Sequence, residues 1–260
     1  MITKDVPLYL DEIGTCAAYE SVQVQSQVSG QIVERNFKDG ADVKKGDLLF
    51  TIDKRPYQAV LESAKADLIL ADANLQRQEE LKAKQVTATQ DLDTAKANAM
   101  RAQAAVDAAQ VNLDYCEIRS PINGRIGLRQ VDVGNTVTSG SSGAVLVRID
   151  NLDPIYTDFT VAEPDIPLVR RYLGGPNVKV LTDAEGDNIP PREGSLYFIA
   201  NTLAPGTGTV QARAVTPNPY HAHWPSQIFR VRAVLHHPQN GTLRGSSLRG
   251  RGENQLGAGL

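Results

Sequence analysis

The sequence predicts an elongated α+β protein of several units: an antiparallel α-helical coiled-coil hairpin inserted in a split β-domain, followed by an antiparallel β-barrel. Three observations predict this architecture. Two similar β-like segments flank a long stretch without glycine or proline, and a series of alternating strand-like segments follows the second of them. With 260 residues, 41% of them hydrophobic, the chain can build more than one core.

The two flanking segments repeat the same motifs in the same order. In each segment two glycines stand ten positions apart and the final pair is Ile-Asp. Because only two copies exist, they are typical of two halves of one small β-domain rather than of a long repeat array. The repeated motifs are Val28–Ile32, Gly40–Val43 and Leu48–Asp53 in the first copy, and Ile122–Ile126, Gly134–Val137 and Leu146–Asp150 in the second.

The stretch between the halves has strongly helical composition. From Tyr57 to Ser120 it is dominated by alanine, leucine, glutamine, lysine and aspartate, and Pro56 before it suits a first helical turn. Apolar residues recur every seven positions in two series, which indicates two coiled-coil seams. The first series is Leu61, Leu68 and Leu75 with Ala64 and Ala71; the second is Leu92, Ala99, Val106 and Leu113 with Ala95, Ala102 and Ala109.

These helices must fold back on each other. One helix of about 60 residues would be roughly 90 Å long, whereas both of its ends re-enter one small β-domain. We therefore predict two arms of about 30 residues each, roughly 45 Å long, with a turn at Gln85–Thr89 where a threonine caps the second helix. Near this turn, a continuation of the first seam would place Gln78 and Lys82 between the two helices, whereas Leu81 would lie outside the seam. Leu81 either belongs to a surface for another helix or follows a local stutter of the coil.

After Asp150 the pattern becomes that of short strands separated by glycine and proline, as in an antiparallel sheet or barrel. Glu163 opens a short helix that extends to about Tyr172, and Val6–Thr15 is expected to add a strand to the barrel. The segment Gln239–Leu260, rich in glycine, serine and arginine, is typical either of a natural disordered tail or of an aberrant, truncated or frame-altered end. The predicted strands are Ile155–Val161, Val178–Leu181, Ser195–Ile199, Val210–Val215 and Ile228–Leu235.

Charge and motifs exclude several classes of function. A net charge of -3 gives no reason to expect the concentrated basic face that nucleic-acid binding requires. No run of apolar residues in the sequence is long enough to span a membrane. The sequence contains no recognised catalytic or nucleotide-binding motif, so we expect no enzyme activity and no cofactor. Four histidines, His221, His223, His236 and His237, are interpreted as loop residues in preference to a metal site.

Two residues suggest covalent chemistry that we do not favour. Cys16 and Cys116 lack metal or redox spacing, and two buried thiols are favoured over a disulfide. Lys54 stands where a lipoyl or biotinyl carrier domain presents its modified lysine, but Arg55-Pro56 and a helix follow it, so a modified lysine is not expected.

Taken together, these motifs resemble the periplasmic adaptors, or membrane fusion proteins, of tripartite efflux pumps that serve resistance-nodulation-division (RND) transporters. The resemblance spans roughly residues 5 to 235. It implies an α-hairpin in a split lipoyl-like domain, then a β-barrel, and in complete members a further membrane-proximal domain and a membrane anchor or export signal. We do not expect these last parts within this sequence. The segments that carry it are Gln27–Ile32, Gly40–Leu49, Leu113–Gly127, Leu152–Val161 and Gly208–Ala214.

The resemblance implies a domain order and a set of partners. The partners are an inner-membrane RND transporter, an outer-membrane channel and other copies of the chain, in a ring that is hexameric in the family. The expected location is the periplasm, in association with the inner membrane, and the expected role is export of drugs or other small toxic compounds. The implied divisions are 1–18, an N-terminal strand of the barrel; 19–53 and 116–150, the lipoyl-like halves; 54–115, the hairpin; 151–238, the barrel; and 239–260, the tail.

In this family the hairpin tip binds the channel through an arginine, a leucine four residues later and a serine seven residues beyond that. Arg77 and Leu81 match the first two positions, and Ala88 stands in place of the serine. Thr87 and Thr89 flank Ala88, and either could supply the hydroxyl. A type I protein secretion adaptor and a free-standing coiled-coil scaffold are the alternatives, and arms of about 30 residues favour the efflux type by this resemblance.

Overall fold

A computed structural model describes residues 8–84, 89–140, 145–172, 178–183 and 190–235 of the chain. Within these ranges the helices are α1 (Arg55–Ala83), α2 (Thr89–Asp114) and α3 (Ile166–Tyr172), with a 3₁₀ turn at Glu163–Asp165 before α3. The strands are β1 (Leu8–Gln25), β2 (Gly30–Arg35), β3 (Asp42–Val43), β4 (Leu48–Ile52), β5 (Glu117–Arg119), β6 (Gly124–Ile126), β7 (Thr136–Val137), β8 (Val145–Ala162), β9 (Val178–Asp183), β10 (Arg192–Ala204), β11 (Thr209–Thr216) and β12 (Ile228–Leu235).

Six long strands form an antiparallel arrangement in the order β1, β12, β9, β10, β11, β8, and β8 pairs again with β1. Strand β1 changes partner at Gly14, which stands opposite Phe229 of β12 and Phe159 of β8. A Cβ atom at Gly14 would lie 2.8 Å from the carbonyl oxygen of Asp158, so this close approach requires glycine. The inward faces of these strands build one core, whose largest members are Ile155, Phe159, Leu196, Phe229 and Val231.

The split β-unit is made from the short strands on both sides of the helices. Strands β5, β4, β2 and β7 form one sheet, and β3 and β6 extend the long arrangement beyond β8. Both copies of the repeat contribute to one core, as the repeat predicts: Ile32, Leu49, Phe50 and Ile52 come from the first copy, and Ile126, Leu146 and Ile149 from the second.

Helices α1 and α2 pack against each other, and burial follows the two predicted seams. Leu61 and Leu92 are each only 5% exposed, and Ala95, Ala99 and Ala109 of the second seam are also buried. Pro56 lies in the first turn of α1, where its missing N–H costs no helical hydrogen bond. Residues 85–88 of the predicted turn lie outside the described residues; Thr89 is described only as the first backbone position of α2.

Strands β1 and β8 are longer than the sequence pattern suggests. The predicted strand Val6–Thr15 continues to Gln25, and Ile155–Val161 is continuous with the end of the second repeat in one strand of 18 residues. The alternating sequence pattern breaks near Pro154, which cannot donate a hydrogen bond to the neighbouring strand. At this point, between Ala18 and Glu20 of β1 and opposite residues 151–155 of β8, the register of the two strands shifts. The strand therefore passes through an irregularity that a search for alternating residues treats as a boundary.

The two cysteines are free and buried in separate cores, Cys16 among the six long strands and Cys116 in the split unit. The preferred interpretation as two buried thiols is therefore confirmed. The tail Gln239–Leu260 lies outside the described residues. None of the helices in the described part of the chain combines the length and the apolar character that crossing a membrane requires.

Candidate partner-binding surface

The end of α1 carries the two described members of the candidate tip site. Arg77 and Leu81 are four residues apart, so they lie on the same face of the helix, and both are exposed. Gln78 is half-buried, as the continued seam predicts, whereas Lys82 is exposed. Burying the Lys82 ammonium would be costly, and a cation in the last turn is favourable for the helix dipole.

The other candidate tip residues are not brought into this site by the structure. Thr87 and Ala88 lie outside the described residues, and the side chain of Thr89 is likewise not described. The described geometry of the candidate tip site is therefore that of Arg77 and Leu81. The participation of Thr87, Ala88 and Thr89 in channel binding stays a prediction.

A groove of about 390 Å³ lies between α1 and α2 beside these residues. Arg77 borders it, and no ion-pair partner of its guanidinium is found in the parts of α1 and α2 that the structure describes. Six of its ten lining residues carry carboxyl, amide or hydroxyl groups, and Leu70, Ala71 and Ala95 add apolar surface, so the groove suits a partner segment of mixed character better than an apolar small molecule. It is lined by Asp67, Leu70, Ala71, Asn74, Arg77 and Gln78 of α1 and by Asp91, Thr94, Ala95 and Asn98 of α2.

Charged residues at the base of the helices fix α1 to β5. Lys54 and Arg119 both donate to the carboxylate of Glu117, the latter at 2.7 Å, and Arg119 also donates to the carbonyl oxygen of Gly46 at 2.9 Å. The hydrogen bond from Lys54, followed by that from Arg119, holds the pKa of Glu117 below its ordinary value. Lys54 is thus engaged at a helix start instead of extending from a tight turn, which argues against the carrier-domain interpretation.

A second ion pair precedes the first turn of α1. The Arg55 side chain and backbone N–H both donate to the carboxylate of Asp53. The side-chain hydrogen bond, followed by the backbone one, lowers the pKa of Asp53 to about 2. A carboxylate before a helix start is also favoured by the dipole, so this pair marks where the β-unit ends and the hairpin begins.

The described histidines lie in the connection between β11 and β12. His221 places Nδ1 3.9 Å from Oδ1 of Asp42, and His223 is buried with its ring edge-to-face against Phe229. In the described parts of the chain, no group of three or more histidine, cysteine or acidic side chains could hold a metal ion. His236 and His237 lie outside the described residues.

Sequence reasoning did not single out an aromatic row on the outer face of β1, β8 and β10. The ring centroids of Tyr19 and Tyr156 are 5.0 Å apart, and those of Tyr156 and Tyr197 are 5.8 Å apart. The Arg213 guanidinium lies 4.6 Å from the Tyr156 ring and donates to Asp158 at 2.8 Å. Each tyrosine sits in a different strand, so their proximity depends on strand register and has no local sequence signal.

Two family models match the chain in succession. The RND membrane fusion protein barrel-sandwich hybrid domain matches residues 20–149, and the RND membrane fusion protein beta-barrel domain matches residues 154–236. The first match includes α1 and α2, and the second covers β9 to β12 together with the second half of β8.

Curated relatives agree with this match. The multidrug efflux pump subunit AcrA of Escherichia coli K12 is 36% identical over 253 residues, covering 89% of this chain and 62% of AcrA. The multidrug resistance protein MexA of Pseudomonas aeruginosa is 36% identical over 257 residues, covering 93% of this chain and 67% of MexA. For the multidrug resistance protein MdtA of Proteus mirabilis the values are 34%, 89% and 60%. The chain thus spans about three fifths of the length of several of these relatives.

Solved structures show the same fold. A chimeric protein of MacA and MexA, which contains the α-hairpin domain of Pseudomonas aeruginosa MexA, superposes with a TM-score of 0.75 at 26% identity, over 89% of this chain and 80% of the chimera. A membrane fusion protein from Streptococcus pneumoniae R6 superposes with a TM-score of 0.67 at 18% identity, over 89% of this chain and all of that one.

Proposed function

Because the chain belongs to the RND membrane fusion proteins, we propose that it acts as a periplasmic adaptor linking an inner-membrane RND transporter to an outer-membrane channel. The transported compounds would be drugs or other small toxic molecules, as the names of AcrA and MexA suggest. The observation that carries the proposal is the succession of both family domains along residues 20–149 and 154–236. The adaptor would work by holding two membrane proteins together, without catalysis.

Each division of the chain has a place in this proposal. We assign residues 19–53 and 116–150 to the lipoyl-like halves, 54–115 to the hairpin, and 151–238 to the barrel joined by the strand at 1–18. The hairpin would extend toward the outer membrane. Its reach is set by α1, which has 29 residues and is about 43 Å long at 1.5 Å per residue. The chain would be held in the periplasm close to the inner membrane.

The end of the hairpin would bind the channel. Arg77 offers five N–H donors, and Leu81 adds an exposed apolar contact one turn away. A partner helix that fills the adjacent polar groove would bury both. Thr87, Ala88 and Thr89 would complete this contact from the turn.

The barrel offers a second surface. The aromatic row ends in Tyr197, which is 63% exposed, and Arg213 stacks on Tyr156 in the middle of the row. Aromatic residues and arginine are enriched at protein interfaces, so this face would contact the transporter. Copies of the chain would assemble side by side in a ring, with exposed apolar residues such as Ile69 and Met100 on the flanks of the hairpin.

Site-specific photo-crosslinking tests the tip assignment. The chain is exported to the periplasm of a Gram-negative host behind a cleavable signal, with a photoreactive residue at position 81. The matched control carries the same residue in place of Val60, which is 59% exposed near the other end of α1. We expect an ultraviolet-dependent adduct with an outer-membrane channel from position 81 and none from position 60.

The same experiment can overturn the proposal. Equal adducts from both positions would mean nonspecific proximity, and adducts only with cytosolic or unrelated proteins would reject the tip as a channel site.

A complementation experiment tests the efflux activity: residues 20–236 replace the matching segment of a related adaptor in a drug-sensitive strain. Failure of a stably expressed chimera to restore drug resistance would argue against the efflux role.

A further inference from the structure

The connection between β11 and β12, residues 217–227, lies where the six long strands meet the split β-unit. It is called the junction loop below. It has an unusual concentration of strained backbone: Tyr220, His221 and Ser226 have φ values of 82°, 51° and 69°. Residues other than glycine adopt this left-handed region at a cost and persist there when surrounding contacts enforce it.

One side of the junction loop is anchored among the six long strands. The Asn218 side chain is fully buried and donates to the carbonyl oxygens of Leu152 and His223, each at 2.9 Å. Its Oδ1 accepts the backbone N–H of His223 at 3.0 Å, so both its donors and its acceptor are used. The ring of His223 then packs against Phe229 in the core.

The end of the loop is fastened to β1 by two backbone hydrogen bonds. Ser226 donates to the carbonyl oxygen of Cys16 at 2.8 Å, and Cys16 donates to the carbonyl oxygen of Gln227 at 2.9 Å. These bonds and the Asn218 network leave the loop little freedom to move relative to the barrel strands.

The other side of the junction loop contacts the split β-unit. The guanidinium of Arg125 in β6 lies 5.3 Å from the centroid of the Trp224 ring, which is within the range of a cation–π contact. His221 approaches Asp42 of β3, which pairs directly with Arg125 across the two strands. The loop thus carries side chains to the small sheet edge β3–β6, while its own backbone is held by the barrel.

From this arrangement we infer that the junction loop is a clasp that sets the orientation of the split β-unit, and with it the hairpin, relative to the six long strands. Trp224 is the main positioning residue and Arg125 is its counterpart. Strands β1 and β8 also connect the two units, but β1–β8 pairing is irregular at Ala18–Glu20. The contact of Trp224 with Arg125 adds a lateral connection beside these strands that keeps the two units at one angle, and its effect does not depend on which partners the protein has.

The clasp is tested by measuring distances in the complete chain. Spin labels attached through encoded non-natural residues at Lys38 of the split unit and Asn201 of β10 report the distance between the units while leaving both cysteines in place. Both positions are exposed. We expect Trp224→Ala and Arg125→Met each to broaden the distance distribution, and the double variant to broaden it no further than either single one, since both remove the same contact.

Tyr220→Ala is the matched control, because Tyr220 lies in the same loop at positive φ and is 93% exposed. Trp224 is the only tryptophan in the chain, so its fluorescence reports directly on loss of the Arg125 contact in Arg125→Met. Unchanged distributions in a folded Arg125→Met protein would overturn the inference, and so would equal broadening in Tyr220→Ala. If Trp224→Ala fails to fold, the distance distribution of Arg125→Met tests the same contact from the split β-unit.

Discussion

Leu81 is 36% exposed at the end of α1, although a leucine in a coiled coil is normally buried in the seam. The helix gains little from it, since exposed helical positions differ by less than about 0.7 kcal/mol among ordinary residues. An exposed leucine beside Arg77 is more useful to a partner than to the hairpin itself. This is the physical basis of the proposed channel contact.

We therefore expect Leu81→Asp to leave the thermal unfolding of the protein nearly unchanged and to abolish channel binding. A charge placed in a desolvated contact costs several kcal/mol, whereas on a solvated helix face it costs a few tenths. Circular dichroism melting and crosslinking from a photoreactive residue at the nearby exposed position Lys84 give the two measurements. Val60→Asp is the control and should affect neither; a Leu81→Asp protein that still crosslinks to the channel would disprove the contact.

The two cysteines should be nearly inert in the folded protein. Burial, opposed by a weaker effect of the hydrogen bond between Cys16 and Thr157, raises the pKa of Cys16 to about 12, and burial also raises the pKa of Cys116. Only the thiolate reacts quickly with disulfide reagents, so both thiols should react much more slowly in buffer at pH 8 than in denaturant. Time-resolved thiol titration measures this, with Ser63→Cys on exposed α1 as a fast-reacting standard. Native cysteines that react as fast as that standard would contradict the buried assignment.

At the scale of elements, adjacent residues of α1 have opposite environments. Leu68 is half-buried in the seam against α2, and Ile69 is 70% exposed. Aspartate at position 68 places a charge between the helices, so we expect Leu68→Asp to destabilise the hairpin by about 2 kcal/mol or more. Ile69→Asp introduces the same residue one position away and should cost less than about 0.5 kcal/mol.

Denaturant unfolding followed by helical circular dichroism distinguishes the two variants. A similar loss of helical signal in both would mean that the seam is not where the heptads place it. Because Ile69 is proposed to contact another copy of the chain, both variants are measured at two protein concentrations. Only a concentration-independent difference in unfolding free energy is assigned to the seam.

The same elements explain what the sequence can and cannot predict. The hairpin was predictable because Leu61, Leu92 and the alanines between them repeat at the period of a coiled coil, which is a local signal. The sequence pattern predicts two separate segments where the structure has the single strand β8, because Pro154 interrupts the alternation of residues. The strand is continuous because it pairs with β1, which lies more than 100 residues away in the sequence. Trp224 and Arg125 are also far apart in the sequence, so nothing in the local pattern indicates the contact made by the junction loop.

On the scale of the whole molecule, two separate cores share two strands. Ile155 belongs to the core of the six long strands and Ile149 to the core of the split unit, yet both are on β8 and both are fully buried. Strand β1 runs beside β8 from Gly14 to Gln25 and so passes both cores as well. Unfolding one core would remove the pairing that supports the other, which favours one cooperative transition despite the two-unit architecture.

Matched cavity variants on β8 test this coupling. Ile149→Ala and Ile155→Ala each remove a buried side chain and should cost about 2–5 kcal/mol. Helical circular dichroism reports mainly on α1 and α2, which extend from the split unit. Labelling of the Cys16 thiol, which is buried in the core of the six long strands and is identified by peptide mass, reports on the barrel side. Because β1 and β8 link the cores, we expect each variant to lower the midpoint of both signals by the same amount. If Ile155→Ala shifts only the Cys16 labelling transition while Ile149→Ala shifts only the helical one, the units unfold independently, and the shared strands transmit no stability between them.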